Sequence, residues 1–234
     1  MDIAKDIERE ISSLTLKLVQ LSLCDEQNMP SKKISRQNGV TDISLPGNVT
    51  FTSAMKNIQY HEAYKEIEKS NSFNIKMIDG GLIQLLYRIG SKNKVESHRL
   101  AFYSSPSHET YQNEAEIYEL DEIYADFIKK NIVPFPIRFD YNADSSLHVD
   151  TDHPKSHITL GQYASCRIPA TSPIGPGTFV KFILRNFYNN AYKKFKELSE
   201  IKCIGFHSTI TDNERKICHL NIGHVDTTFI SNSK

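Results

Sequence analysis

An aliphatic seam runs along the start of the chain. In DIAKDIEREISSLTLKLVQLSL, residues 2–23, aliphatic side chains recur at steps of four and three. This spacing places side chains along one side of an α-helix and comes close to a heptad repeat. The pattern predicts an N-terminal amphipathic helical arm over residues 1–24. The seam consists of Ile3, Ile7, Ile11, Leu14, Leu18 and Leu21.

Such a helix must bury its apolar side, and the sequence leaves two ways to do so. The helix can pack on its own domain, or it can serve a protein interface. The partner in the second case is a protein encoded nearby or a second copy of this chain. On that interpretation the partner-binding residues are Ile7, Ile11, Leu14 and Leu18.

The hydrophobic pattern changes after the arm. Residues 25–58 are polar and include two prolines, which predicts a loop or linker. We expect residues 59–234 to form one α+β domain. Alternating apolar residues and bounding prolines or glycines predict strands over 73–77, 82–89, 95–105 and 133–142. Helical spacing predicts helices over 60–69 and 115–131, and a long helix within 172–200 that opens after the proline and glycine breaks of that stretch.

Turn signals complete the predicted architecture. Asp79-Gly80-Gly81 separates two strand patterns, and both glycines are expected to supply positive φ angles there. Residues 147–163 are expected to form a hairpin, and 202–207 and 216–223 are strand-like. The sequence therefore predicts an α+β fold: an antiparallel sheet with helices packed on one face and an N-terminal helical arm.

Titratable side chains are dense in LHVDTDHPKSHITLG, residues 147–161. Strand alternation places His148 and Asp150 on one face. A four-residue loop would bring His157 opposite Asp150, whereas a five-residue loop would turn His157 away. Three interpretations stay open: a metal site of imidazole and carboxylate ligands, a catalytic site, or a polar network that stabilises a tight turn.

The catalytic interpretation adds two residues of the neighbouring strand. Arg138 and Asp140 share its polar side. Arg138 is suited to stabilise a developing phosphorane or oxyanion, and either Asp140 or Asp150 to orient a histidine. Histidine is the side chain whose ordinary pKa suits general acid or base work near neutral pH. Such a set fits cleavage of RNA, in which the 2′-hydroxyl is the nucleophile. The predicted catalytic residues are Arg138, Asp140, His148, Asp150 and His157.

A basic stripe lies on the predicted helix over 172–200. Lys181, Arg185, Lys193 and Lys196 fall opposite its apolar side, where they can contact a phosphate backbone or remain simply solvated.

Bulk composition narrows the function classes. Lys plus Arg equals Asp plus Glu at 28 each, so no global charge draws the chain to nucleic acid or to a membrane surface. No apolar run reaches the roughly 18 residues of a membrane-spanning helix. The four cysteines form no CxxC pair, and no phosphate-loop or dinucleotide motif is present. We therefore expect a cytoplasmic protein without membrane contact, without a resident metal and without a cofactor.

Several stretches resemble a known family. GGLIQLLYRIG, HRLAFYSSP, PIRFDYN and DHPKSHITLGQYASCRIPATSPIGPGTFVKFILRNFY are similar to the bacterial family called domain of unknown function 2290. The resemblance covers most of residues 70–190. It implies no specific activity, and it implies bacterial gene neighbourhoods that include anti-phage defence and toxin–antitoxin loci.

A fainter resemblance is to toxins of the TumE type, which couple an Arg-aromatic-Asp strand to a histidine-rich turn. The matching pieces are Arg138-Phe139-Asp140 and His153-Pro154 with His157, although Lys155 and Ser156 stand where that pattern has histidine. Two functions follow. The favoured one is a non-catalytic subunit of a bacterial defence or toxin–antitoxin complex, binding protein partners and touching nucleic acid. The alternative is a toxin-like, metal-independent ribonuclease.

Overall fold

One nine-stranded sheet organises the chain. The structure is a computed structural model that describes residues 2–35, 37–45, 58–107, 134–163 and 165–222. Its elements are α1 (Ile3–Gln20), β1 (Cys24–Gln27), β2 (Ser31–Ile34), β3 (Thr41–Ser44), α2 (Tyr60–Lys69), β4 (Ile75–Met77), β5 (Leu82–Ile89), β6 (Val95–Tyr103), β7 (Pro136–Asn142), β8 (Ser156–Leu160), β9 (Ile168–Pro169), α3 (Pro176–Phe187), α4 (Asn189–Lys194), α5 (Lys196–Ser199) and α6 (Asp212–Lys216).

The strands are antiparallel throughout their pairings, in the order β1-β4-β5-β6-β7-β8-β9. β3 pairs with the far end of β5 and also carries β2. The predicted α+β class with an antiparallel sheet is confirmed, and α2 and β5 have the bounds that the sequence predicts. The predicted helix over 115–131 lies outside the described residues.

The turn between β4 and β5 uses its two glycines differently. Gly80 has a φ of 83°, as predicted, whereas Gly81 is not among the positive-φ residues. A Cβ at Gly81 would lie 2.5 Å from the Tyr188 hydroxyl, so this position needs glycine for space. The expectation of two positive φ angles is therefore wrong for Gly81.

Helix α1 packs inside the chain's own core. It begins after Asp2, whose side chain accepts hydrogen bonds from the N–H groups of Ala4 and Lys5. Its seam packs with β5, β6 and α3 in one hydrophobic cluster. The four residues predicted to bind a partner are 0 to 3% exposed: Ile7, Ile11, Leu14 and Leu18. The partner interpretation of these residues is corrected, because in this fold their side chains are already buried against their own sheet.

The prediction of a loop or linker over 25–58 is wrong for its first part. β1 pairs with β4, and β3 pairs with β5, so this stretch widens the sheet. These strands are largely exposed or half-buried, and they lack the apolar alternation that marks a strand in sequence. Backbone pairing to an existing edge determines their structure, which local pattern does not reveal.

The predicted helix over 172–200 is three helices. α3 begins at Pro176 and ends at Phe187, because φ and ψ of −130° and 48° at Tyr188 leave the helical region; a second break follows at Phe195. Tyr188 is 1% exposed, and its hydroxyl donates to the Asp79 carboxylate over 2.8 Å. This buried contact accompanies a break that no proline or glycine announces. As far as residue 222, where the described part of the chain ends, the strand-like runs form no strand: Leu220 makes an isolated bridge to Ala170, and α6 lies between the two runs.

The two faces of the sheet differ in chemistry. One face packs against α1 and α3 through β5 to β8 residues such as Leu85, Phe102 and Phe139. On the other face, α2 covers Leu82 and Ala101 at one end, so helices are not confined to one face. The rest of that second face, which we call the polar face, carries Arg99, Arg138, Asp140, His157 and Thr159. Among the described residues, no helix has the length and apolarity to cross a bilayer.

The burial of the α1 seam yields the first prediction. Ile11→Ala should lower the free energy of unfolding by about 2 to 5 kcal/mol, because it leaves a cavity at a fully buried site. Leu16→Ala is the matched control on the same helix: Leu16 is 53% exposed, and its loss should change stability by about 0.5 kcal/mol or less. Urea unfolding of both variants measures the difference. Equal effects would contradict the packing of α1 described here.

His98 is a buried titratable group on the core side of β6. It is 5% exposed, its Nε2 accepts from the Ile174 N–H over 3.2 Å, and its ring contacts Tyr87 and Tyr141. Burial lowers the pKa of His98 to about 4, although the negative charge of Asp140 acts to raise it. The folded protein therefore holds this imidazole neutral where the unfolded chain already binds a proton.

This difference predicts a loss of stability in acid. Between pH 6.5 and 4 the unfolded state gains the His98 proton first, so the free energy of unfolding should fall by about 3 kcal/mol as the pH drops through this window. His98→Gln keeps an acceptor for Ile174 but cannot titrate. Chemical denaturation at several pH values should show a clearly shallower slope for this variant. An identical slope in both proteins would show that His98 is not the group responsible.

Candidate functional site

The polar face brings together side chains from three neighbouring strands. Arg99 of β6 lies opposite Asp140 of β7, and Asp140 lies opposite His157 of β8. In the adjacent row, Arg138 lies opposite Thr159. Because alternate residues of a strand point to the same face, these two rows form one continuous polar surface.

Asp140 lies between two arginines. Arg99 Nε donates to Asp140 Oδ1 over 2.9 Å, whereas Arg138 Nε is 3.9 Å from Oδ2, beyond hydrogen-bond distance. Burial raises the pKa of Asp140, but Arg99 and Arg138 outweigh burial and hold that pKa below its ordinary value. The carboxylate is therefore ionised at neutral pH, and its direct partner is Arg99.

Arg138 has unused hydrogen-bonding capacity. Its side chain is 18% exposed. Its Nε is buried and has no hydrogen-bond acceptor among the described residues. A buried N–H without an acceptor costs free energy, commonly about 1 to 3 kcal/mol. Such a group is expected where a ligand supplies the acceptor.

Two histidines stand beside the arginines. The His157 Nδ1 lies 2.9 Å from the Pro154 carbonyl oxygen, to which it can only donate, so Nε2 is left as the basic nitrogen. Burial lowers the pKa of His157, partly offset by the Pro154 carbonyl and by Asp140. The His153 ring stacks edge-on against it at 5.3 Å, and burial followed by Arg167 lowers the pKa of His153 as well. Both rings are neutral at pH 7.

These groups line a cavity of about 820 Å³ over the polar face. Thr159 and Tyr163 also line it. Among its described lining residues are six basic side chains, Lys33, Arg88, Arg99, Arg138, Lys155 and Arg167, and three acidic ones, Asp42, Asp140 and Asp144. The wall of the cavity therefore carries an excess of positive charge in a chain with none overall.

The predicted hairpin over 147–163 is wrong. Val149 and His153 form an isolated bridge around a tight turn in which Thr151 has a φ of 65°. The strand that pairs with His157 is β7, so neither of the two loop lengths considered from the sequence applies. The predicted catalytic set is accordingly divided. Arg138, Asp140 and His157 share the polar face, whereas the side chains of His148 and Asp150 contact the C-terminal segment.

His148 and Asp150 contact the C-terminal segment. His148 Nε2 lies 3.0 Å from Glu214 Oε1, and Asp150 accepts hydrogen bonds from Thr211 and Asn213. Glu214 is a member of this cluster that the sequence analysis missed. Its local signal is the capping box at the start of α6, where Thr211 and Glu214 satisfy each other's N–H groups. Nothing local connects it to His148, 66 positions away.

The basic stripe does not join this site. Lys181 is half-buried on α3, Arg185 is exposed on the same helix, and Lys193 and Lys196 are exposed on α4 and α5. Helix α3 packs on the face opposite the polar face, and none of the four residues lines the cavity. Nucleic-acid binding by this stripe stays a prediction.

A family model described as "Uncharacterized conserved protein (DUF2290)" matches residues 23–222. No curated protein and no solved structure matches the chain, and the fainter similarity to TumE-type toxins is not shown. The match spans β1 to the segment after α6. The family resemblance read from the strand and loop motifs is thereby confirmed, and the chain belongs to the DUF2290 family of uncharacterised conserved proteins.

Proposed function

We propose that this protein is a ribonuclease whose reacting groups are Arg138 and His157 on the polar face. The observation that carries the proposal is the buried Nε of Arg138, a cavity-lining residue, for which the described residues supply no acceptor. Asp140 positions the two groups. His148 and Asp150, which belong to the separate cluster, are no longer part of this proposal.

The charge of the cavity favours an anionic ligand. Six basic and three acidic described side chains line it, in a chain of zero formal net charge. A concave wall with an excess of one sign focuses the electric field and concentrates ligands of the opposite sign. The volume of about 820 Å³ lies within the range of small-ligand sites, which leaves room for one or two nucleotides.

Arg138 is the side chain best prepared to bind phosphate. Arg99 already donates to Asp140 at 2.9 Å, whereas Arg138 approaches that carboxylate only to 3.9 Å. A guanidinium presents a planar fork of donors that matches two phosphate oxygens. Asp140 holds the two arginines together and offsets part of their mutual repulsion. In this proposal Arg99 stabilises the ionised Asp140, and Arg138 contacts the phosphate of the ligand.

His157 supplies the base. Its Nδ1 donates to the Pro154 carbonyl, which fixes the tautomer and leaves Nε2 unprotonated. Because burial lowers its pKa, the ring is neutral at physiological pH and can accept a proton. A purely structural imidazole would make the same Nδ1 contact. The proposal differs in giving Nε2 the role of proton acceptor.

The reaction that these groups support is internal transesterification of RNA. His157 Nε2 takes the proton of the 2′-hydroxyl, and the 2′ oxygen forms a bond to phosphorus. The bond from phosphorus to the 5′ oxygen breaks, and that oxygen takes a proton from a solvent water, whose hydroxide is neutralised by the imidazolium form of His157. The products are a 2′,3′-cyclic phosphate and a 5′-hydroxyl. Arg138 stabilises the negative charge that develops on the phosphoryl oxygens.

The other predicted function, a non-catalytic subunit of a bacterial defence or toxin–antitoxin complex, remains a proposal with less support. Its predicted interface, the α1 seam, is buried in the core. Among the described residues, the cavity is the feature that argues for a ligand.

The proposed activity predicts cleavage of single-stranded RNA and none of DNA of the same sequence. His157→Gln should lower the cleavage rate about 100-fold to 10,000-fold, because the general base is lost. Arg138→Ala should lower it about 100-fold to 1,000-fold, since it removes a preorganised donor to developing charge. Arg9→Ala, on the exposed side of α1 and away from the cavity, is the matched arginine control and should leave the rate unchanged. Gel analysis of a labelled oligonucleotide measures all four proteins.

Folding is checked by thermal melting of each variant, because removal of one member of a buried charge cluster can destabilise the protein. Arg138→Lys retains the charge, and it should recover stability while restoring only part of the rate. Cleavage of DNA at the rate of RNA would exclude the 2′-hydroxyl mechanism. A folded His157→Gln protein as active as the parent would exclude His157 as the base.

A further inference from the structure

A second cluster of ligating side chains lies at the rim of the cavity. His148, Asp150 and Glu214 each offer one ligand atom, and these atoms lie within 4.8 Å of one another. The loop before β8 supplies two of the residues, and α6 supplies the third. His148 also lines the cavity, so the cluster borders it without sharing Arg138 or His157.

Neighbouring groups orient the carboxylates. The Thr211 N–H donates to Glu214 Oε2 over 2.9 Å. The Thr211 hydroxyl and the Asn213 amide donate to the two oxygens of Asp150 at 2.6 and 2.7 Å. Outer contacts of this type hold ligands in position in metal sites. Each carboxylate oxygen retains a second lone pair for another partner.

The burial of Glu214 supplies an independent reason for a cation. Glu214 is 1% exposed. Among the described residues, its one ion-pair partner is His148, which is charged only when protonated. A buried carboxylate needs a compensating positive charge. A metal dication bound through the neutral imidazole supplies that charge when His148 carries no proton.

The types of ligand indicate the class of metal. His148 Nε2 and Glu214 Oε1 are 3.0 Å apart and share a hydrogen bond, which a metal ion bound to both atoms would replace. Imidazole and carboxylate ligands together suit first-row transition-metal dications. Asp150 is exposed, and its contacts with Thr211 and Asn213 leave each of its oxygens a second lone pair for the ion.

We propose that His148, Asp150 and Glu214 bind one first-row transition-metal dication of the Mn²⁺, Fe²⁺ or Co²⁺ class. The ion ties the loop that precedes β8 to α6 and the C-terminal segment. The remaining coordination positions are filled by water or by a ligand in the cavity. The site is independent of the proposed ribonuclease, because it uses none of the residues that are assigned to bond making or breaking.

The test is titration of the purified full chain with Mn²⁺ and Co²⁺. We expect one ion per chain, a Co²⁺ absorption spectrum that differs from that of the hydrated ion, and a melting temperature about 5 to 10 °C higher at a hundredfold excess over the dissociation constant. His148→Ala and Asp150→Asn should each weaken binding by at least about 10-fold to 100-fold. Asp152→Asn replaces a neighbouring exposed carboxylate outside the cluster and should bind as the parent does.

Two further variants keep the result decisive. Glu214→Gln retains an acceptor for Thr211 N–H, so it separates loss of the ligand charge from loss of the capping box. Cys203 and Cys218 are exposed thiols that can bind Co²⁺, so the titration is repeated with both changed to Ser. The proposal is overturned if the parent binds no ion at millimolar metal, if His148→Ala and Asp150→Asn bind as the parent does, or if binding disappears with the cysteines. RNA cleavage is assayed separately, and its presence or absence decides neither outcome.

Discussion

The register between β7 and β8 determines what the polar face can do. It places His157 opposite Asp140 and Thr159 opposite Arg138, while Ile158 and Phe139 point into the core. The side-chain period of a strand is two, so a slip of one residue would exchange these sets. Charged side chains would then enter the core, and aromatic ones would enter the cavity. Burial of the apolar side chains in the core therefore places the charged and polar side chains of β7 and β8 on the polar face.

The same burial accounts for the electrostatics of the site. Asp140 and His157 lie in a partly desolvated wall, where charges interact more strongly than in water. Arg99 and Arg138 hold the carboxylate ionised, and desolvation holds the imidazole neutral. An acid that stays charged beside a base that stays neutral is an arrangement that functional sites use repeatedly. The unmatched Nε of Arg138 adds a local cost to stability, and proteins tend to tolerate such costs at functional sites.

The sequence predicts those helices and strands whose buried residues recur with the spacing of a helix or of a strand. α1, α2, β5, β6 and β7 have strong apolar repeats, and each forms where the pattern predicts it. The pairing of Arg138 with Asp140 on one side of β7 follows from the same alternation. The sequence does not reveal β1 to β3, because these polar strands depend on pairing to β4 and β5.

The histidine cluster shows a further limit. His148, Asp150, His153 and His157 are close in sequence, which suggests one site, but the turn at Thr151 separates them. His157 joins residues of β7, and His148 joins Glu214 near the other end of the chain. Proximity in sequence therefore does not place these residues in one site, because strand pairing and tertiary contacts determine which residues each of them meets.

The most direct test of the account is observation of the Arg138 Nε–H itself. Proton–nitrogen NMR of the arginine side chains, assigned with Arg138→Lys, is recorded while a short 2′-O-methyl RNA that cannot be cleaved is added. We expect the Arg138 resonance to shift and to saturate at one RNA per chain, because a phosphate oxygen becomes the acceptor of its Nε–H, while the resonance of Arg9 on α1 is unaffected. If the Arg138 resonance stays unchanged, whether or not the resonances of other arginines shift, Arg138 does not bind the phosphate of RNA.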